Sequence, residues 1–148
     1  MPASSPEKSR IMVLLFDDQA LVGESLRRML ATQDDIDFHF CSDAAVALGQ
    51  AQRIKPTLIF QDLVMPNVNG LDLVKAYRTD SLLQTVPVIV LSVRDEPEAK
   101  LQAFAAGAND YLVKLPDRLE MLARIRYHSA AYLAQRERNE AMTALRES

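Results

Sequence analysis

Leu58-Ile59-Phe60-Gln61-Asp62-Leu63-Val64-Met65-Pro66 is an apolar run that stops at an aspartate, and Asn67-Val68-Asn69-Gly70 follows as turn chemistry. A short apolar run bounded by turn residues reads as a strand buried on both faces, as in the middle of a parallel sheet. Asp62 then lies at the carboxyl end of that strand, the edge at which open α/β sheets bind ligands. On this stretch alone, an aspartate that merely caps its own turn is an equal alternative.

Working outward, the pattern repeats. Ile11-Met12-Val13-Leu14-Leu15-Phe16 ends at Asp17-Asp18, Pro87-Val88-Ile89-Val90-Leu91 ends at Ser92, and Asp110-Tyr111-Leu112-Val113 ends at Lys114. Residues 36–41 alternate apolar with polar, as expected of a strand near a sheet edge. Between these runs lie helical periodicities. Val22, Leu26, Met29 and Leu30 mark the first; Ala44, Ala47, Leu48, Ala51 and Ile54, capped by Ser42 or Asp43, the second; Leu71, Val74 and Tyr77, opened by Asn69-Gly70, the third. Pro97 suits the first turn of a fourth helix and Gly107 its left-handed end. A fifth begins after Pro116, with Leu119, Leu122 and Ile125 expected on the core. Five strands, each followed by a helix, select an α/β fold: a five-stranded parallel sheet with helices on both faces and right-handed crossovers.

The bulk numbers narrow the function. At 148 residues the chain reads as one domain, and 49% hydrophobic with 25% charged residues is ordinary for a folded protein. A net charge of -3 argues against a general nucleic-acid surface, so no nucleic acid contact is expected. The lone Cys41 allows neither an internal disulfide nor a Cys/His metal spacing, and reads as a small core residue. Residues 1–9 read as a disordered leader without a signal core, and no run is long enough for membrane insertion, so the expected location is cytoplasmic.

Asp17, Asp18, Asp62, Ser92 and Lys114 thus close apolar runs at one edge of one sheet. Each has a bland explanation singly, as a solvated helix start, a turn residue or a surface cation. Together, three carboxylates repel unless a cation sits among them, and oxygen ligands with room for water suit Mg²⁺. A carboxylate in that setting can attack phosphorus, with a lysine and a hydroxyl to meet the charge on the phosphoryl oxygens.

Phe16-Asp17-Asp18, Gln61 to Pro66, Leu91-Ser92, Ala106-Gly107-Ala108-Asn109-Asp110-Tyr111 and Lys114 resemble the motifs of the receiver domain of two-component response regulators, over about residues 10–130. The resemblance implies the flavodoxin-like (βα)5 receiver fold, Asp62 as phosphoacceptor, and Mg²⁺ held by Asp17, Asp18, Asp62 and the Val64 backbone carbonyl. It further implies Lys114 on the phosphate, Ser92 as switch hydroxyl, Tyr111 as switch aromatic, and a histidine kinase as donor. Two departures stand out. This chain has Lys114-Leu115-Pro116 where the family usually places proline directly after the lysine, often with a cis bond. It also has Val93 where the family has a small residue after the switch hydroxyl, and the bulk of Val93 is expected to narrow access to Asp62.

Residues 117–148 contain neither proline nor glycine and predict one long helix, of which residues 131–148 read as a linker toward an output domain. The heptad positions Ala131, Ala134, Arg138, Ala141 and Leu145 are weak for a coiled coil, and a frayed solvated helix is an equal reading. The Gln61–Pro66 motif, residues 105–116 and residues 123–129 are similar to Wsp-type receivers, which precede a GGDEF diguanylate cyclase domain. That similarity implies a cyclic di-GMP output and homo-oligomers through the last helix or the fourth-helix to fifth-helix face. A stand-alone receiver that docks other proteins is the alternative. A phosphatase of the haloacid-dehalogenase type would want Asp-x-Asp after the first strand, and a flavin site would want a phosphate loop where Asp17-Asp18 stand. The expectation is a regulatory module, not an enzyme.

Overall fold

The computed structural model describes residues 10–147, so the proposed leader lies outside the described residues. Three runs form central strands because nearly every position in them must be buried: β1 (Ile11–Phe16), β3 (Leu58–Asp62) and β6 (Val88–Ser92). With β2 (Ile36–Cys41) and β7 (Asp110–Val113) they make one parallel sheet in the order β2-β1-β3-β6-β7. The order is that of the flavodoxin-like fold, with its switch point between β1 and β3. In register, Phe16 lies beside Gln61, Asp62 beside Leu91, and Ser92 beside Val113, which brings the chemically marked ends to one edge.

Helices cover both faces. On one, α1 (Ala20–Leu30) and α5 (Arg118–Glu147) bury Val22, Leu26, Met121 and Ile125 on β1, β3 and β6. On the other, α2 (Ala47–Ile54), α3 (Gly70–Thr79) and α4 (Pro97–Ala106) enclose Leu14, Phe16, Ile59, Val74, Tyr77 and Val90. Local chemistry sets the ends. The Asp43 side chain accepts from Ala45 N–H and opens a 3-10 turn (Ala44–Val46) before α2, and left-handed Lys55 stops α2 ahead of Pro56. Pro97 opens α4 and left-handed Gly107 closes it.

Three expectations need correction. The stretch after Asp62 is not a bare turn: β4 (Val64–Met65) and β5 (Val68–Asn69) pair antiparallel around Pro66 and Asn67, the latter with a positive φ that asparagine tolerates in turns. Leu119 is 74% exposed. The inward stripe of α5 is Met121, Ile125 and Ser129, four residues apart, which places Leu119 some 200° round the helix. Cys41 is only half-buried, because β2 is the edge strand, and its thiol lies 3.6 Å from the Asp43 carbonyl.

Candidate phosphoacceptor site

Phe16 and Asp62 end adjacent strands, so Asp17, Asp18 and Asp62 meet just beyond β1 and β3. One oxygen from each lies within 4.8 Å of the others. Asp17 is fully buried and Asp62 nearly so, while Asp18 faces solvent. Asp17 Oδ1 accepts from Gln19 N–H at 2.9 Å. Lys114, brought in at the end of β7, stands 2.7 Å from Asp17 Oδ2 and 3.1 Å from Asp62 Oδ1. Apart from this ion pair, the buried Asp17 Oδ2 has no partner among the described residues. Three hard oxygen ligands, one of them buried with a lysine as its partner, fit a small divalent cation such as Mg²⁺.

The electrostatics agree. Burial, then the charge of Asp17, pushes the Asp62 carboxyl up to about 6, against the pull of Lys114 and the Val64 N–H. Burial works against the Lys114 ammonium, yet the two carboxylates outweigh it and hold its pKa above the ordinary lysine value. Asp62 is thus a carboxylate whose charge is under-compensated, ready for a cation or an electrophile.

Ser92, almost wholly buried at the end of β6, accepts from Arg94 N–H at 3.1 Å. Tyr111 on β7 lies inward and its hydroxyl donates to the Arg94 carbonyl at 2.8 Å. The two residues singled out as switch groups therefore hold opposite sides of the same backbone residue, a link that sequence reading missed because it runs through main-chain atoms. Lys100, paired with Asp95 at 2.7 Å, lies 6.0 Å from the Tyr111 ring centroid. Val93 is exposed at the rim, Val64 begins β4 with its side chain outward, and the Lys114–Leu115 peptide is cis.

The model of the response regulator receiver domain family matches residues 13–126. The chain belongs to that family. Receiver domains are regulatory modules that accept a phosphoryl group from histidine kinases and bind Mg²⁺ in an acidic pocket. Among curated relatives, Response regulator Rre1 of Synechocystis is 31% identical over 77% of this chain and 50% of that protein. Response regulator MprA of Mycobacterium leprae is 34% identical over 77% of this chain and 49% of that protein. The chain therefore spans about half the length of these two relatives. Among solved structures, the chemotaxis protein CheY4 of Vibrio cholerae matches with a TM-score of 0.71 at 28% identity, covering 78% of this chain and 98% of that one. The receiver domain of the sensor histidine kinase PA1611 of Pseudomonas aeruginosa, solved with a magnesium ion in its active site cleft, matches in fold with a TM-score of 0.73 at 22% identity, covering 82% and 98%. Among the described residues, no helix is long and apolar enough to cross a membrane.

Proposed function

We propose that Asp62 is the phosphoacceptor of this receiver and that its phosphorylation is the signal. The observation that carries this is the buried Asp62 carboxylate, within 4.8 Å of Asp17 and Asp18 and 3.1 Å from Lys114. An Asp62 oxygen forms the new bond to phosphorus as the P–N bond of a phosphohistidine donor breaks, and the imidazole nitrogen leaves with the electron pair. Asp17, Asp18, Asp62 and the Val64 carbonyl would hold Mg²⁺, which when bound neutralises charge on the transferring phosphoryl oxygens. Lys114 then exchanges its carboxylate partners for a phosphoryl oxygen. Ser92 has its hydroxyl proton to donate to another, and a turn of the side chain toward that oxygen releases the Arg94 N–H and, through Arg94, loosens Tyr111. Incubation with phosphoramidate and Mg²⁺ tests the assignment: mass spectrometry should show one added phosphoryl group, absent in Asp62→Asn. An intact Asp62→Asn chain that is still phosphorylated would refute it.

The output we propose is a diguanylate cyclase domain making cyclic di-GMP, driven by homo-oligomers formed through α5 or the α4–α5 face. Support comes from the similarity to Wsp-type receivers and from the extension of α5 well beyond the sheet. Sequencing the coding region downstream of residue 148 decides the point, since a GGDEF motif is required. Phosphorylation-dependent docking without such an output is the second reading, favoured by Leu101 and Phe104, which stand exposed on α4 beside the switch.

A further inference from the structure

Two fully buried polar side chains take no part in the chemistry above. Gln61 interrupts the apolar run of β3 immediately before Asp62, and Tyr77 on α3 is the largest of the fully buried side chains. The Tyr77 hydroxyl donates to Gln61 Oε1 at 2.7 Å, and Gln61 Nε2 donates onward to the main-chain carbonyl of Asp62 at 2.9 Å. Burial of this kind raises the Tyr77 pKa well above its ordinary value, so the phenol stays a donor. An amide and a phenol cost desolvation energy where leucine and phenylalanine would fill the same space, so the pair is a poor choice for stability alone.

What the pair secures is a peptide plane. The carbonyl of Asp62 is held by the Gln61 amide and approached by the start of α3: a Cβ on Gly70 would lie 2.2 Å from that oxygen. Gly70 N–H also donates to the next carbonyl, that of Leu63, at 3.0 Å. Two successive peptide units after the reacting residue are therefore tied to α3, one by a side-chain relay and one directly. The direction in which a carboxylate leaves a strand is set by that backbone.

The geometry points to Gln61 and Tyr77 as a positioning pair that aims the Asp62 carboxylate and so sets its rate of phosphoryl acceptance. The inference rests on the assignment of Asp62 as phosphoacceptor. Neither side chain touches the reacting atoms. Both act through the backbone of Asp62, and in-line displacement is sensitive to aim, with a misplacement of about 1 Å able to cost about a hundredfold in rate.

The test compares wild type, Tyr77→Phe, Gln61→Leu and the double variant, with Val74→Ala as a control for packing, since Val74 is a fully buried residue one turn before Tyr77 on α3. Phosphorylation by phosphoramidate is timed at saturating Mg²⁺, at a temperature where urea unfolding shows every chain folded. Each single variant is expected to lose about tenfold in rate, and the double variant no more than the worse single, because the two act as one relay. Val74→Ala should lose stability yet react at the wild-type rate. If Gln61→Leu does not fold, Tyr77→Phe, which removes a single oxygen, decides alone. A folded Tyr77→Phe that reacts like wild type overturns the pair, and so does a Val74→Ala that slows equally. A wild-type chain that takes no phosphoryl group overturns the phosphoacceptor assignment and the pair with it, whereas a reactive wild type with unaffected variants overturns the pair alone.

Discussion

Asp62 carries a charge that its surroundings resist. With its carboxyl pushed up to about 6 by burial and Asp17, the folded chain holds this proton more tightly than the unfolded chain does. Stability of the metal-free protein should therefore fall as pH climbs from about 4, the unfolded value, through the folded value. Asp62→Asn is expected to stabilise the metal-free fold at pH 7 by about 1 kcal/mol, after allowing for solvent screening. The gain should vanish near pH 4, which urea unfolding at the two pH values measures. Saturating Mg²⁺ should reverse the order, because it binds the wild-type cluster more tightly. Val93 stands exposed next to Ser92, and Val93→Ala is expected to react faster with phosphoramidate; an unchanged rate would remove Val93 as a barrier. At this scale the meeting of Asp17, Asp18, Asp62 and Lys114 was legible in the sequence because each closes an apolar run. Gln61 and Tyr77 were not, since a lone polar residue in a strand and an inward tyrosine in a helix say nothing of each other until the fold brings them together.

Among the elements, α5 is held from two sides. On the α1–β2 side, Arg126 pairs with Asp35 at 2.7 Å, and Arg118 donates to Thr32 at 2.8 Å and to the Met29 carbonyl at 3.0 Å. On the β7 side, Asp110 Oδ2 takes Arg124 at 2.6 Å and His128 at 3.0 Å, while Asp110 Oδ1 accepts from the Tyr111 N–H at 2.8 Å. Beneath, Ser129 Oγ meets Thr57 Oγ1 at 3.0 Å. Burial works against the Asp110 carboxylate, but the hydrogen bonds from Arg124 and His128 outweigh it and hold its pKa below the usual value. Its contribution is thus complete above about pH 4, the ordinary carboxyl range, and is lost as pH falls through the folded value. Asp110→Asn should cost about 2 kcal/mol at pH 7, read by urea unfolding, and should shift the Tyr111 amide resonance. A variant as stable as wild type would show that these contacts are idle. The strands and most helices were legible from period and caps. The β4–β5 hairpin was not, because two-residue strands have no period to detect, and the phase of α5 was misread at Leu119 because several of its faces carry leucine.

At the scale of the molecule, the sheet and its two covered faces make the receiver, and α5 carries on past them. From Ala134 on, nearly every residue of α5 faces solvent, so the last four turns add little to the receiver's own stability. Truncation after Leu133 should leave the unfolding free energy from urea titration unchanged within about 0.5 kcal/mol, and a larger loss would show that the helix end folds back on the domain. The parallel sheet with helices on both faces could be read from the sequence because strand–helix alternation permits few topologies, whereas alternation alone does not order the strands. The proposed output could not, because neither composition nor periodicity reports on it and it rests on resemblance alone.

The central claim is that a modification at Asp62 is felt at Ser92, Tyr111 and α5. Amide NMR of the Mg²⁺-loaded chain, before and after addition of beryllofluoride as a mimic of the acyl phosphate, tests it most directly. The predicted result is a set of metal-dependent shifts at Asp62, Ser92, Arg94, Tyr111 and Lys114 that extends into α5. An intact spectrum unmoved at Asp62 would contradict the assignment, and shifts confined to the site would contradict the coupling.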